Sequence, residues 1–206
     1  MILLMEKKST RERRRARTAQ ALLDAAMEII TERGVGALSM REIAQRIEYS
    51  PSGLYEYYAS KEEILDALCE QGFVQLTWQI EHAAQGNTAE QRLYELALAY
   101  LDFAHQHSQL YLLMFNSAPP QIWQGRGLQH LSTNPAYNKL LAIVRAGVES
   151  GEFSAASGLD IKQLAYSIWA LMHGLAALRL TRLSNASEDI DATNRQVMQA
   201  AIERLR

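Results

Sequence analysis

The sequence predicts an all-α fold of about nine helices in two domains, and three observations support this. Apolar residues recur every three or four positions through most of the chain, which is the period of an amphipathic helix. Serine, threonine, aspartate or asparagine stands at the start of these segments, and glycine or proline stands at several of their ends. No segment of the sequence alternates in the manner of a β-strand. We expect a three-helix domain over residues 1–60 and a larger helical domain over residues 61–206.

The composition is that of an ordinary globular protein. The chain has 206 residues, of which 48% are hydrophobic and 21% are charged. The sequence contains no run of about 18 apolar residues that could cross a membrane, and its five apolar residues at the start are too few for a secretion signal. The single cysteine, Cys69, excludes a disulfide within one chain and fits a reducing compartment. We therefore expect a cytoplasmic protein that does not bind to membranes.

The first domain is predicted to begin with a long helix. Ser9-Thr-Arg-Glu12 has the pattern of a capping box, in which serine and glutamate side chains bond each other's backbone amides. Gly34 is a suitable stop, so this helix is expected from about residue 10 to Arg33. Its apolar face supplies the packing partner that shorter helices need.

Two short helices follow with almost no room between them. Ser39-Met-Arg-Glu42 predicts a second capping box, and Ser50-Pro51 predicts the start of the next helix. Only Glu48 and Tyr49 remain for the turn between them, so the two helices must cross at a steep angle. This arrangement is typical of a DNA-binding helix-turn-helix.

Positive charge is concentrated just ahead of this motif. Residues 1–17 contain seven lysines and arginines against two glutamates, a balance of +5 in a chain whose net charge is −2. An isolated basic run is usually a solvated terminus. Next to a helix-turn-helix it is better interpreted as an arm for a polyanion, because lysine and arginine displace the counterions of nucleic acid phosphates.

The second domain is predicted as a series of helices. A long one begins at the Ser60–Glu63 capping box and ends near Gln85, and a loop is expected over 117–133 around Pro119-Pro120. Further helix starts are predicted at Thr88, Ser108, Asn134, Asp160 and Ser187, with a stop at Gly151.

Residues from Leu22 to Leu68 resemble the TetR family of bacterial transcriptional regulators. The resemblance rests on Ala25-Ala26, Gly34, Ser39, Glu42-Ile-Ala44, Ser50-Pro-Ser-Gly-Leu-Tyr-Glu-Tyr-Tyr58 and Ser60-Lys-Glu-Glu-Ile-Leu65. Trp169-Ala-Leu-Met-His-Gly174 is similar to an element of one subgroup and is weaker evidence. Glu48 stands where the family usually has glycine, so either Glu48 adopts a strained left-handed backbone or the turn differs from that of the family.

The resemblance implies double-stranded DNA as a partner. It places base or near-base contacts at Pro51, Ser52 and Gly53, and phosphate contacts at Tyr55, Tyr57 and Lys61. The start of the preceding helix and the basic arm are expected to add contacts from Ser39, Met40, Arg41, Arg13, Arg14, Arg15 and Arg17. Gly53 replaces a residue with a small side chain, so we expect specificity to depend on Arg41, the arm and DNA shape. Tyr58 takes the place of a usual phenylalanine and is assigned to the core.

The resemblance also implies a small ligand between the C-terminal helices. Aromatic and methionine residues at helical spacing are more often plain core, but the candidates for lining such a cavity are Trp78, Tyr100, Phe103, Tyr111, Met114, Phe115, Tyr166, Trp169, Met172 and His173. His173, His105 and Tyr166 are the candidates for orienting the ligand. No metal or cofactor is expected, since His105 and His107 lie on different helix faces without further ligands. Cys69 is expected to be an inert hydrophobic residue.

A dimer interface is predicted on the last two helices. Leu164, Ile168, Leu171, Leu175 and Leu178 alternate steps of four and three, and Val197 and Ala201 share one face of the final helix. This seam could equally be internal core, but the small residues Gly174, Ala176 and Ala177 permit close approach of another helix. A homodimer implies a palindromic operator.

The predicted function is that of a homodimeric repressor released from a palindromic operator by a small, mostly apolar effector. The alternative is a ligand-independent module, architectural or for protein interaction, that uses its helix-turn-helix only as an anchor. A tightly filled C-terminal core would favour this alternative. An enzyme is not expected, because the residues form no acid–base or metal cluster and no catalytic residue can be assigned.

Overall fold

The structure, a computed structural model, describes residues 9–116, 131, 134–154 and 158–206. These residues form nine α-helices and no β-strand, so the predicted fold class is confirmed. The chain divides into two compact units, which meet between Glu70 and Gln71 within the fourth helix. No helix in the described ranges combines the length and the hydropathy of a membrane span. The predicted loop over 117–133 lies, apart from Leu131, outside the described residues.

The first unit is built on a long helix, α1 (Thr10–Arg33). The predicted capping box at Ser9 and Glu12 is present with both of its bonds. The helix ends at Gly34, whose φ of +78° and ψ of 166° suit only glycine. The core of this unit forms where α1 meets the next helices, through Leu22, Ala26, Ile29, Ile30, Leu38, Ile43, Leu54, Ile64 and Leu68.

The two short helices have the predicted starts. Helix α2 (Met40–Arg46) begins where the Ser39 hydroxyl accepts from the Glu42 amide at 3.2 Å, but the Glu42 carboxylate pairs with Arg33 instead of completing the box. Helix α3 covers only Pro51–Leu54 and is capped by the Ser50 hydroxyl. Tighter turns follow it, in which the Glu56 and Tyr57 amides donate to the Gly53 and Leu54 carbonyls. Residues 50–58, called the recognition segment below, therefore form a single α-helical turn with an irregular extension.

The turn between α2 and α3 resolves the question raised by Glu48. Its φ is +53°, so this non-glycine residue adopts the left-handed backbone that the turn requires. Such a conformation costs about 1–3 kcal/mol and must be held by its surroundings. The backbone amide of the next residue, Tyr49, donates to the Ala44 carbonyl at 2.8 Å and ties the turn to α2.

An ion-pair cluster fixes α2 against α1. The Arg46 guanidinium donates to both carboxylate oxygens of Glu32, at 2.9 and 2.7 Å, and to Glu28 at 3.3 Å. Hydrogen bonding to Glu32 raises the pKa of Arg46 and lowers that of the glutamate. A bidentate pair of this kind restrains orientation as well as distance, so it helps to set how α2 lies on α1.

The fourth helix, α4 (Lys61–Ala83), continues from the first unit into the second. At its start the Ser60 hydroxyl accepts from the Glu63 amide at 3.1 Å, as predicted. The Glu63 carboxylate, however, accepts from the Ala59 amide rather than that of Ser60. One of the two bonds of the predicted capping box is therefore present, and the other is made to the residue before the serine.

The second unit is organised around α5 (Ala89–Gln106), which packs against the helices that follow it. These are α6 (Ser108–Asn116), α7 (Pro135–Ser150), α8 (Ile161–Leu180) and α9 (Ile190–Glu203). The predicted starts at Thr88, Asn134 and Asp160 are confirmed by side-chain caps. The predicted start at Ser187 is wrong, because the Asp189 carboxylate caps α9 by accepting from the Ala192 amide at 2.9 Å.

Candidate functional site

The recognition segment carries an aromatic ring over its glycine. A Cβ atom on Gly53 would lie 2.6 Å from Tyr49 Cε1, closer than real contacts allow, and 3.0 Å from Tyr49 Cδ1 and Ser50 Oγ. The Tyr49 ring occupies the space of a side chain here, so a residue larger than glycine would have to displace the ring. The ring remains 40% exposed, beside the exposed Pro51 and Ser52.

A cluster around Tyr57 joins the recognition segment to α1. The Arg15 guanidinium lies 5.5 Å from the centre of the Tyr57 ring and donates to the Glu56 carbonyl at 2.9 Å. The rings of Tyr49 and Tyr57 meet edge to face at 6.3 Å, and hydrogen bonding to Tyr57 raises the pKa of Tyr49. Arg15 and Tyr57, both predicted DNA contacts, thus have partners within the chain, whereas the side chain of Tyr55 is 57% exposed.

The other predicted DNA contacts divide into exposed and engaged groups. Arg14, Arg17 and Arg41 are exposed, as is Arg13, which reaches only the Thr10 hydroxyl at 3.5 Å. Three others serve the fold: the Ser39 hydroxyl caps α2, Met40 is half-buried, and Lys61 Nζ donates to the Val35 carbonyl at 3.0 Å. The exposed cations of this unit therefore lie mainly on α1 and at the start of α2.

An apolar cavity lies in the second unit between α4, α5, α7 and α8. Its wall contains Phe73, Leu76, Ile80, Leu96, Tyr100, Phe115, Leu131, Asn134, Ala136, Tyr137, Leu140, Trp169 and Met172. The gap between these side chains measures about 400 Å³, but the centre of a water-sized sphere can move through only about 30 Å³ of it. That space suffices for one or two water molecules, so the cavity is nearly filled by its own side chains in this conformation.

Four of the ten predicted lining residues, Tyr100, Phe115, Trp169 and Met172, are in this wall. Trp78 does not line this cavity: it is 59% exposed and stacks on His82 with ring centres 4.1 Å apart. Tyr166, which is 40% exposed, does not line it either.

Two further predicted lining residues lie in the core away from this cavity. Phe103 is fully buried and contacts His107, with ring centres 5.0 Å apart. Met114 packs where Gly72 leaves room, since a Cβ on Gly72 would lie 2.5 Å from Met114 Sδ. Neither side chain reaches the cavity wall.

A buried polar network lies directly behind the cavity. The hydroxyl oxygens of Tyr100 and Tyr111 are 3.1 Å apart, and they lie 3.2 and 2.7 Å from His173 Nδ1. Tyr111 and His173, both predicted lining residues, therefore contact the wall from behind. Phe115 and Trp169 of the wall contact the His173 ring, with ring centres at 4.9 and 5.6 Å.

Burial sets the protonation of this network. It raises the pKa of both Tyr100 and Tyr111 and lowers that of His173, so all three groups are neutral at neutral pH. With the proton on Nε2, His173 Nδ1 accepts from Tyr111, and Tyr100 donates to the Tyr111 oxygen. Tyr100, a residue of the cavity wall, thus has hydrogen-bond partners in Tyr111 and His173 behind the wall.

The predicted dimer seam is partly internal core. Leu164 and Ile168 are 5% and 4% exposed and pack within their own chain, so they lie in the core of this unit rather than on its surface. Leu171, Leu175 and Ala201 are half-buried, and Leu178 and Val197 are exposed at 48% and 37%. The seam faces inwards at its start because α8 packs against both α5 and α7.

The outward face of α8 has an unexplained glycine. Nothing lies within 4 Å of a Cβ atom built on Gly174. The other glycines inside long helices, Gly72 and Gly147, would bring a Cβ within 2.5 Å or less of Met114 and Phe153. Packing within the described chain therefore accounts for those two glycines but not for Gly174.

Other reactive groups have ordinary structural surroundings. Burial raises the pKa of Cys69 to about 11, as expected of an unreactive thiol. The Nε2 atom of His107 lies 3.0 Å from Gln75 Nε2, and His105 is exposed. Among the described residues, no group of three histidine, cysteine, aspartate or glutamate side chains is placed to hold a metal ion.

Sequence comparisons match both parts of the chain. The family described as "Bacterial regulatory proteins, tetR family" matches residues 22–68. The HTH-type transcriptional activator FasR of Mycolicibacterium smegmatis is 35% identical over 97 residues, which are 47% of this chain and 44% of FasR. The uncharacterised regulator YobS of Bacillus subtilis is 27% identical over 94 residues, 46% of this chain and 49% of YobS. The matches thus span about half the length of these curated relatives.

Solved structures share the fold along nearly the whole chain. A protein of unknown function from Rhodococcus sp. RHA1 has a TM-score of 0.76 at 23% identity, with 99% of both chains covered. FadR from Bacillus subtilis, solved in complex with stearoyl-CoA, has a TM-score of 0.70 at 20% identity, with 91% of this chain and 99% of FadR covered. PfmR from Thermus thermophilus has a TM-score of 0.66 at 20% identity, with 90% and 98% covered.

The C-terminal part of the chain has a family match of its own. The domain described as "Tetracyclin repressor-like, C-terminal domain" matches residues 93–201, which are more than half of the chain. With a helix-turn-helix before it and this domain after it, the chain belongs to the TetR family of bacterial transcriptional regulators.

Proposed function

We propose that this protein is a homodimeric repressor that leaves a palindromic operator when a mostly apolar ligand enters the cavity beside Trp169. The observation that carries the proposal is the position of α4. This helix starts at Lys61, directly after the helix-turn-helix, and supplies Phe73, Leu76 and Ile80 to the cavity wall. A ligand that widens the cavity must displace those side chains, and α4 can pass the displacement on.

The ligand must open the cavity rather than occupy existing space. About 30 Å³ of room for a water-sized sphere is far less than any apolar effector needs. The wall is mostly apolar, and its polar groups belong to Tyr100, Asn134, Tyr137 and Trp169, which suits a long aliphatic chain with few polar atoms. The complex of FadR with stearoyl-CoA supports an acyl ligand here.

The small free space in the apolar cavity also favours the alternative hypothesis, a module that binds DNA without a ligand. A protein with a filled core would bind DNA without a ligand and act as an anchored architectural or interaction module. The direction of regulation is a separate matter, because FasR is named an activator. Both hypotheses predict DNA binding, and only the first predicts its release by a ligand.

Operator binding is proposed to use two arrays of residues. The recognition segment presents Pro51, Ser52 and Tyr55, and the exposed arginines are Arg13, Arg14, Arg17 and Arg41. Replacing Arg17 by alanine should weaken binding equally on all sequences and lower its salt dependence, if this arginine contacts a phosphate. Replacing Arg41 should relax specificity at one position per half-site, if it contacts a base.

The dimer is proposed to form through the outward faces of α8 and α9. Leu178 and Val197 are exposed there, and Gly174 leaves space for another helix. A two-fold dimer would place its recognition helices roughly 34 Å apart, the length of one DNA turn. Binding to a single half-site with the affinity of the palindrome would contradict this arrangement.

Ligand release can be tested on the full-length protein with stearoyl-CoA as the probe. Fluorescence anisotropy on a palindrome selected from random DNA should show operator affinity falling as stearoyl-CoA is added. Leu140→Trp, which fills the cavity, should keep DNA binding and lose the response, while the exposed Trp78→Ala should respond normally. If neither stearoyl-CoA nor shorter acyl-CoA and free fatty acids alter operator affinity, the ligand-independent alternative is favoured.

A further inference from the structure

A second cavity lies between α5, α8 and α9, away from the apolar cavity. The centre of a water-sized sphere can move through about 210 Å³ of this cavity, about seven times the 30 Å³ of the apolar cavity. Its wall is formed by Leu98, Leu101, Asp102, Ala104, His105, Ala176, Arg179, Leu180, Asp191, Asn194 and Arg195. We infer that this cavity binds a small dipolar molecule, a free α-amino acid. The inference does not depend on the effector proposed for the apolar cavity.

The first observation is a buried amide without a partner. Asn194 is only 6% exposed, and its side chain forms no hydrogen bond with another described residue. Leaving a buried amide unsatisfied costs about 1–3 kcal/mol, and a leucine of similar size would avoid that cost. The amide must therefore find its partners in the cavity that it lines.

The second observation is the arrangement of charge around that amide. Arg179 and Asp191 form a pair, with Arg179 Nε and Nη2 at 3.1 and 3.4 Å from the two carboxylate oxygens. Because they form an ion pair, they neutralise each other. Asp102 on α5 and Arg195 on α9 also line the cavity, and neither forms an ion pair within the described ranges.

This charge distribution selects the class of ligand. The two aspartates and two arginines of the wall balance, so a ligand with a large net charge would gain little. A zwitterion can place its carboxylate against Arg195 and its ammonium group against Asp102, with hydrogen bonds stronger than those between neutral groups. The amide of Asn194 and the three leucines remain for the side chain of the ligand. An amide side chain fits best, because Asn194 can both donate and accept.

L-Glutamine is the probe that tests this assignment. Isothermal titration of the full-length protein should give saturable binding. Two analogues isolate the charges: 4-aminobutanamide lacks the carboxylate and glutaramic acid lacks the ammonium group. Each should bind at least about tenfold more weakly than glutamine, because 4-aminobutanamide leaves Arg195 without an opposite charge and glutaramic acid leaves Asp102 without one.

Two variants and a control test the site itself. Asn194→Leu should abolish glutamine binding while the protein stays folded by circular dichroism. Arg195→Gln, on the exposed edge, gives the same test if Asn194→Leu does not fold. Arg204→Gln, which removes an exposed arginine at the C-terminal cap of the same helix, outside the cavity, should bind glutamine normally.

The proposal is overturned by either of two results. One is that no standard amino acid gives a saturable heat at millimolar concentration, which would mean that water alone satisfies Asn194. The other is that Asn194→Leu and Arg195→Gln bind glutamine as well as the unaltered protein. Operator binding and its response to stearoyl-CoA are measured separately, so neither result bears on the proposed repressor function.

Discussion

Replacing Gly174 by alanine separates packing within one chain from packing between two chains. The residue lies inside α8, where glycine is less favourable than alanine by about 0.8–1 kcal/mol. No atom of the described chain lies within 4 Å of the added methyl group, so the chain itself offers no compensating contact to lose. The folded monomer should therefore gain about 1 kcal/mol in its free energy of unfolding.

The proposed dimer should respond in the opposite direction. If a helix of the partner packs against this face, the methyl group enters a filled space, and overpacking costs about 1–3 kcal/mol. That loss corresponds to a rise of about 5- to 150-fold in the dissociation constant of the dimer. A single substitution would thus stabilise the monomer while weakening the dimer.

The two effects need two measurements. Sedimentation equilibrium gives the dimer dissociation constant, and urea denaturation below that concentration gives the stability of the monomer. Gly147→Ala is the matched control, because its Cβ would lie 2.1 Å from Phe153 Cδ2 and should destabilise the monomer. An unchanged dimer in a more stable Gly174→Ala protein would refute the assignment of this face.

Three further predictions concern the buried groups. Tyr111→Phe removes the 2.7 Å bond to His173 Nδ1 and should lower stability by about 0.5–1.5 kcal/mol in urea denaturation. Burial lowers the pKa of His173, so the unfolded chain takes up its proton first as the pH falls. Stability from this group is complete above its ordinary pKa of 6.5 and declines as the pH falls from there through the lower folded pKa. His173→Gln should flatten the denaturation profile in that window, and an unchanged profile would count against the burial effect. Cys69, whose pKa burial raises to about 11, should react with a thiol reagent slowly in the native protein and rapidly in urea.

Helix starts and the helix-turn-helix can be predicted because their signals are local. The caps at Ser9, Thr88 and Asp160 each depend on one side chain and an amide three residues away. The same local rule predicts the last helix from Ser187 instead of Asp189. Both residues can cap a helix, and the choice between them depends on the folded backbone.

The cavity wall is harder to predict, although α4 carries part of the signal. Phe73, Leu76 and Ile80 follow steps of three and four and share one face, whereas Trp78 lies about 140° away from Phe73 around the helix. Only one of these two aromatic side chains can therefore face the interior. Residue size favours the tryptophan, but the helical period favours the phenylalanine that the structure places in the wall.

An apolar seam alone does not distinguish a core from an interface. Leu164 and Leu178 belong to the same run of four- and three-residue steps, yet their exposed fractions are 5% and 48%. Both surfaces exclude water and need the same side chains. The direction of α8 relative to α5 and α7 decides which end of the seam is covered, and this is a property of the tertiary fold.

The two departures from the family pattern at Glu48 and Gly53 form one structural unit. The left-handed backbone at Glu48 is followed by Tyr49, whose amide is held by the Ala44 carbonyl and whose ring covers Gly53. A side chain at residue 53 would have to displace that ring, so the position of the ring depends on glycine at residue 53. The sequence alone implied that the proposed DNA surface has no side chain at residue 53, but the surface is occupied at this point. It presents the Tyr49 ring, 40% exposed and braced by Tyr57, where a small side chain would otherwise stand.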